Sequence, residues 1–183
     1  MKSGKFSTFG RHALKAALAS AVVLGGAGFV INASAADGTG TADATVVTPI
    51  AIAASSPNLR FGSFSTSAAA QTVAIDTAGA RTLTGALGVG TGQNAFGAAS
   101  FAVTGDSTLT YAITLPTTST ISTDDAVGVT KNMTVSSFVS NPSGTGTLTA
   151  GAQTLLVGAT VTTVASQVAG AYTGTFTVTV AYN

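Results

Sequence analysis

The sequence predicts an all-β protein, an antiparallel β-sandwich in a single domain that follows a signal peptide. Three observations predict this fold class. Short runs in which apolar residues alternate with Thr recur along the chain, and no segment after residue 35 sustains a helical period. Gly, Asn, Asp and Pro separate these runs, as turn residues separate strands. Thr, which is β-branched and favours strands, is abundant, and a length of 183 residues suits one domain.

The clearest predicted strands are residues 108–115 and 175–182. Alternate positions give each strand one apolar face, consisting of Leu109, Tyr111, Ile113 and Leu115 in the first and Phe176, Val178, Val180 and Tyr182 in the second. Pro116 ends the first strand, because proline has no N–H to donate to a neighbouring strand.

Further strands are predicted at 44–53, 58–64, 71–76, 81–89, 97–104, 131–139, 145–149, 153–157 and 160–164. The stretch 85–100 is rich in Gly and Ala, which favours a loop or a weakly packed edge. Phe138 falls out of phase with Met133 and Val135, and this change of phase predicts a β-bulge in the strand 131–139.

Residues 1–35 have the pattern of a secretory signal peptide. A basic start precedes the uncharged apolar run 16–31, and small residues at 33 and 35 fit a cleavage site. We expect cleavage after Ala35, with cleavage after Ala36 as the alternative. A membrane anchor is the other interpretation, but the run is shorter than the roughly 20 residues of a span and contains three glycines. The mature domain is therefore expected at 36–183, in the periplasm, at the cell surface or outside the cell, with no transmembrane segment after cleavage.

The mature chain is poor in the groups that perform chemistry. It has three basic and six acidic residues, a net charge of −3, and no Glu, His or Cys. Nucleic acid is not an expected partner, because binding its backbone needs clustered Lys and Arg. Without His or Cys, neither a Ser–His–Asp triad nor an ordinary zinc site can form, so we expect no catalytic residue, no metal and no cofactor. Asp124 and Asp125 fit a solvated turn better than a weak calcium site.

The faces of the predicted strands that point away from the core carry rows of Thr. These rows have two interpretations, a solvated sheet face and a contact surface by which subunits pack into a fibre. The low charge of the mature chain permits association, because little repulsion keeps the molecules apart.

The end of the sequence resembles the C-terminal signature of subunits assembled by the chaperone–usher route. Such subunits end in an alternating strand that pairs with a periplasmic chaperone, with a Gly and a penultimate Tyr at fixed offsets. Gly170 is the fourteenth residue from the end and Tyr182 is the penultimate residue. The resemblance implies a strand-pairing role for Gly170, Phe176, Val178, Val180 and Tyr182. The alternative is the ordinary last strand of a complete sandwich.

Motifs along the whole mature chain resemble the bacterial family called domain of unknown function 4402. They are TVVTPIAI at 45–52, LRFGSF at 59–64, FAVTG at 101–105, YAITLP at 111–116, LVGAT at 156–160 and GAYTGTFTVTVAY at 170–182. That family is similar in outline to spore coat U and pilin-type domains, so the resemblance implies an exported, immunoglobulin-like (pilin-like) sandwich without an assigned activity. Many pilin-type relatives tie their first strands with a disulfide, whereas this chain has no Cys.

Residues 36–48 form either a donor strand or a flexible N-terminal extension. Small or apolar side chains alternate in this segment with Asp and Thr, and the apolar set includes Ala42, Ala44 and Val46. A sandwich that lacks one strand can be completed by such a segment of a neighbouring subunit. We therefore expect a non-enzymatic structural protein, a fimbrial, pilus-like or surface fibre subunit that associates with itself or with a periplasmic chaperone and usher. The alternative is a self-contained secreted sandwich that acts as a binding or matrix protein.

Overall fold

The structure, a computed structural model, describes residues 35–65, 67–85, 95–123 and 128–183. The chain divides into two units, residues 1–43 and residues 44–183. In the first unit, the described residues 35–43 are exposed and have no regular secondary structure. The predicted signal peptide lies almost wholly outside the described residues. No helix in the described part of the chain is both long enough and apolar enough to span a bilayer.

The second unit is built from antiparallel strands, and the predicted all-β, antiparallel class is confirmed. The strands are β1 (Ala51–Ser55), β2 (Arg60–Phe61), β3 (Thr72–Ile75), β4 (Arg81–Thr84), β5 (Phe96–Gly97), β6 (Ala99–Thr104), β7 (Thr110–Thr114), β8 (Thr118–Ser122), β9 (Asn132–Asn141), β10 (Thr145–Thr147), β11 (Ala152–Thr162) and β12 (Thr179–Tyr182). A single 3₁₀ turn, Val129–Lys131, precedes β9 within the described residues.

Seven strands form the larger sheet, with the long strand β11 at its centre. One edge of β11 pairs with β6 over its first half and with β3 over its second half, and β1 and β4 extend the sheet beyond them. The other edge of β11 pairs with β9, which pairs in turn with β8. The smaller sheets are β10–β7–β12 and the short pair β2–β5.

The hydrophobic core lies between the large sheet and the chain segments that cover it. One cluster joins Val103 and Leu155 of the large sheet to Tyr111 of β7 and to Val178, which precedes β12. A second cluster, centred on Val73 and Val161, is covered by side chains from residues 59–64 and by Tyr172. Apolar residues from two layers therefore meet in one interior, which is the arrangement of a sandwich.

The bulge expected at Phe138 is confirmed. Gly158 of β11 lies opposite Val139 of β9, and Thr160 of β11 lies opposite Ser136 of β9. Two residues of β9 therefore lie opposite the single β11 residue between Gly158 and Thr160. The backbone of Ser137 accommodates the extra residue with a positive φ of 50°. Beyond the bulge, Phe138 packs against both core clusters.

Several predicted strand limits are wrong. The strand expected at 44–53 begins only at Ala51, and the one expected at 58–64 is reduced to Arg60–Phe61. The strands expected at 153–157 and 160–164 are one continuous strand, because Gly158 does not break the ladder: it lets the backbone of Ile75 approach β11, where a side chain would clash.

The last strand is also shorter than expected, and Pro116 explains the difference. Every second residue of β12 exchanges backbone hydrogen bonds with β7, and the Asn183 N–H donates to Thr110 O at 3.2 Å. If this register continued past the first residue of β12, the next hydrogen-bonded pair would be Thr177 opposite Pro116. Proline has no N–H to offer there, so the ladder with β7 begins at Thr179. The expected apolar face persists nevertheless, because Phe176, Val178 and Val180 all pack on the first core cluster.

The rows of Thr predicted from the sequence are in register across the outer face of the large sheet. One row crosses five neighbouring strands and consists of Thr120, Thr134, Thr162, Thr72 and Thr84. Each member is exposed or half-buried, and the neighbouring inward-facing residues of β3, β9 and β11 are buried. The uncharged face suits both interpretations given above, solvent contact and packing.

Candidate strand-acceptor cleft

An open cleft lies between the segment that follows β1 and the segment that precedes β12. One wall consists of residues 58–65 and the other of residues 168–176, and this space is called the cleft below. Its larger cavity has a volume of about 550 Å³. The floor is the inner face of the large sheet, where the cavity is lined by Phe101, Ile121 and Phe138 among others.

A second cavity of about 530 Å³ continues the first toward residue 168. Gly62, Ile121 and Tyr172 line both cavities, so the two cavities adjoin each other. The second wall from 168 to 176 is nine residues long, which corresponds to about 30 Å of extended chain. Because residue 170 lies in a bend, this figure is an upper limit for the length of the wall.

The backbone of the second wall has one paired edge and one unpaired edge. Thr173 and Ser122 exchange two backbone hydrogen bonds of 2.9 Å, and Thr175 O accepts a bond of 2.6 Å from Ser119 Oγ. Backbone groups of successive residues in a strand point to opposite edges, so those of Gly174, Phe176 and Val178 point away from β7 and β8. Among the described residues, no backbone–backbone hydrogen bond involves 174–178. Gly174 and Phe176 also line the larger cavity, so this part of the segment lies beside the cleft.

Buried polar contacts hold the second wall in place. Gln167 Nε2 donates to the carbonyl oxygens of Thr130 and Asn132, at 2.5 and 3.0 Å, while its Oε1 accepts from the Val164 N–H. The Tyr172 hydroxyl donates to Val168 O at 2.6 Å and lies 2.9 Å from Gln167 Nε2. These bonds fix the start of the second wall against the residues that precede β9.

Arg81 holds the first wall. Its Nη1 donates to Phe61 O and Ser63 O at 3.2 and 3.1 Å, and its guanidinium lies 4.5 Å from the centre of the Phe96 ring. These contacts fix the backbone of residues 61–63 over the second core cluster. Arg81 thus joins the first wall to β4 and to the Phe96 ring.

The structure brings together some of the residues predicted to act in assembly. Gly170 lines the smaller cavity, where a side chain would contact Thr123 Oγ1 at 2.7 Å, so the position has no room for one. Phe176 lines the larger cavity and packs against Phe101 and Phe138, with ring centres 6.0 and 5.2 Å apart. Val178 is buried in the core beside it.

The remaining predicted residues lie at the two ends of the chain. Val180 and Tyr182 pack on the first core cluster. Ala42 belongs to the first unit and is exposed. In the second unit, Ala44 is exposed and Val46 is 95% exposed, and residues 44–50 form no strand. The N-terminal arm, residues 37–48, thus carries solvent-exposed apolar side chains.

The sequence interpretation missed the floor and the first wall of the cleft. Strand β8 was not predicted, because its sequence TSTIS has one large apolar residue and therefore little hydrophobic alternation. Leu59 and Phe61 stood in the quoted motif LRFGSF, but nothing local shows that they face residues 172–176. The one sequence feature that could have indicated the first wall was the pair of large apolar residues, Leu59 and Phe61, beside an Arg and a Gly.

The structure describes no group of three or more His, Cys, Asp or Glu side chains that could hold a metal ion. Asp124 and Asp125, the residues weighed for a calcium site, lie outside the described residues. Among the described acids, the pKa of Asp106 is lowered, first by the Thr108 hydroxyl, then by the Thr108 N–H and the Thr48 backbone. Burial raises the pKa of the Tyr111 hydroxyl.

The family of the chain is shown by a family model that covers most of the domain. The model of the family described as domain of unknown function (DUF4402) matches residues 50–182. The chain belongs to this family. No curated protein and no solved structure is significantly similar to it.

Proposed function

We propose that this protein is an exported, non-enzymatic structural subunit that assembles by strand addition, with the arm of one copy lying in the cleft of the next. The observation that carries the proposal is the unpaired backbone edge of 174–178 beside an open apolar cleft. A free edge next to exposed core side chains accepts an extended segment, which gains backbone hydrogen bonds and buries apolar area.

The arm suits this cleft in length and in alternation. Residues 37–47, fully extended, reach about 36 Å, which exceeds the roughly 30 Å of the second wall. Gly38, Gly40, Ala42, Ala44 and Val46 would face the floor, and the Asp and Thr residues between them would face solvent. Small side chains fit because Phe101, Phe138 and Phe176 already fill part of the space between the layers.

A second candidate function, a secreted binding module, is favoured by the volume of the cleft. Each cavity, at about 550 and 530 Å³, lies in the range of roughly 300–1,000 Å³ that holds small ligands. A complete monomer with a ligand in the cleft would need no arm. The two functions therefore differ in the effect of removing the arm.

The test compares the mature chain 36–183 with a variant lacking residues 37–45, by electron microscopy and size-exclusion chromatography. We expect fibres or oligomers from the first and folded monomers from the second, because the arm completes a neighbour and not its own core. Ala44→Asp places a charge on the face directed to the floor and should also prevent assembly. Thr45→Asp, the matched control on the opposite face, should assemble. Equal assembly with and without residues 37–45 would refute the proposal.

A further inference from the structure

The end of β12 is tied to the base of the arm by hydrogen bonds at Tyr182. The Tyr182 hydroxyl donates to Thr48 O at 2.7 Å and accepts from the Asp106 N–H at 2.6 Å. The single hydroxyl thus joins three segments that are distant in sequence: the last strand, the turn after β6 and the start of the domain. Gly105 permits this approach, since a side chain there would clash with the hydroxyl.

The carboxylate of Asp106 fixes the turn after β6, from which the Asp106 N–H donates to Tyr182. This carboxylate accepts from the Thr108 N–H and the Thr108 hydroxyl, at 2.9 and 2.6 Å, and its pKa is lowered further by a backbone hydrogen bond from Thr48. The Tyr182 hydroxyl is thus the group that binds the Thr48 carbonyl, and the Asp106 N–H binds the same hydroxyl. On the arm side, residues 44–47 have no regular structure and are exposed. Thr48 is thus the residue of this exposed segment that the Tyr182 hydroxyl bonds to the rest of the domain.

We infer that Tyr182, Asp106 and Thr48 form a latch that fixes the point from which the arm leaves the domain, and that this positions the arm for a second copy of the chain. The inference rests on the proposed function. A flexible arm loses more conformational freedom on association than one whose base is already fixed. Tyr182 and Asp106 act here as positioning residues, because they hold the arm at its base and do not touch the part that enters the neighbour.

Tyr182→Phe removes the hydroxyl and keeps the ring, and the chain offers a matched control. Tyr111 lies directly opposite Tyr182 in the β7–β12 ladder, and its hydroxyl bonds to Gln153 Oε1 at 2.7 Å, away from the arm. We expect Tyr182→Phe to raise the critical concentration for assembly of the mature chain about tenfold. This is the size of effect expected when one more residue loses its backbone freedom on association. Tyr111→Phe should leave it within about twofold, although it also loses a hydroxyl.

Hydrogen exchange of monomeric protein tests the latch independently of assembly. Faster exchange of the Asp106 amide is expected in Tyr182→Phe and not in Tyr111→Phe, because the Asp106 N–H donates to the Tyr182 hydroxyl. A second variant, Asp106→Ala, should weaken assembly of the intact chain while a synthetic peptide of residues 37–47 binds the arm-deleted domain as before. Unchanged exchange, or equal assembly of Tyr182→Phe and Tyr111→Phe, would overturn the latch. Failure of the peptide to bind the unmutated arm-deleted domain would instead contradict the strand-acceptor function.

Discussion

Val46 provides the most quantitative test of strand addition, because its side chain is 95% exposed in the monomer. Replacing it by Ala removes two methyl groups that stabilise nothing within the chain itself. If Val46 is buried in the cleft of a neighbour, those groups contribute about 0.8 kcal/mol each, or about 1.6 kcal/mol together. At about 1.4 kcal/mol per factor of ten, the substitution should weaken binding about 15-fold.

The assay is calorimetric titration of the arm-deleted domain with synthetic peptides of residues 37–48. The Val46→Ala peptide should bind about 15-fold more weakly than the natural sequence. The Val47→Ala peptide is the control, because neighbouring residues of a strand point to opposite faces and Val47 would face solvent. In the full mature chain, Val46→Ala should leave the melting temperature of the monomer unchanged. Equal weakening by the two substitutions, or none by Val46→Ala, would refute the predicted face of the arm.

Three further predictions concern the core, the acid response and export. Val178→Asp should prevent folding, seen as loss of the near-ultraviolet circular dichroism signal, because an unpaired charge in the core costs several kcal/mol. Asp106, whose pKa is lowered in the folded chain, should stabilise it above about pH 4 and lose this effect as the pH falls through the lowered value. Urea titrations of the unmutated chain and Asp106→Ala should therefore converge in strong acid. Exported protein should begin at Ala36 or Asp37 by intact mass, and a mass that retains residues 1–35 would contradict cleavage.

Alternation predicts strands well where every second residue is large and apolar. β7 and β9 were predicted for this reason, since Tyr111, Met133 and Val135 are buried and the intervening residues are less buried. β8 escaped prediction because Ile121 is its one large apolar residue. The start of β12 depended on Pro116, which lies in the connection between β7 and β8, more than sixty residues earlier.

The cleft could not be predicted from local pattern, because its walls are far apart in the sequence. Residues 58–62 and 172–176 approach each other only through the pairing of β1 with β6 and of the last segment with β7 and β8. The arm differs in this respect. Its alternation of small and polar residues is visible in the sequence, and its exposure follows from the absence of large apolar side chains before Val46.

The location of the arm in a neighbouring subunit is best measured by disulfide trapping, because the natural chain contains no Cys. Chains carrying Ala44→Cys are mixed under oxidising conditions with chains carrying Ser119→Cys, a substitution in the lining of the larger cavity. Chains carrying Thr134→Cys, on the exposed outer face of β9, serve as the control. Strand addition predicts a disulfide-linked heterodimer with Ser119→Cys and little or none with Thr134→Cys. Equal cross-linking to both positions, or none to Ser119→Cys in assembled protein, would contradict it.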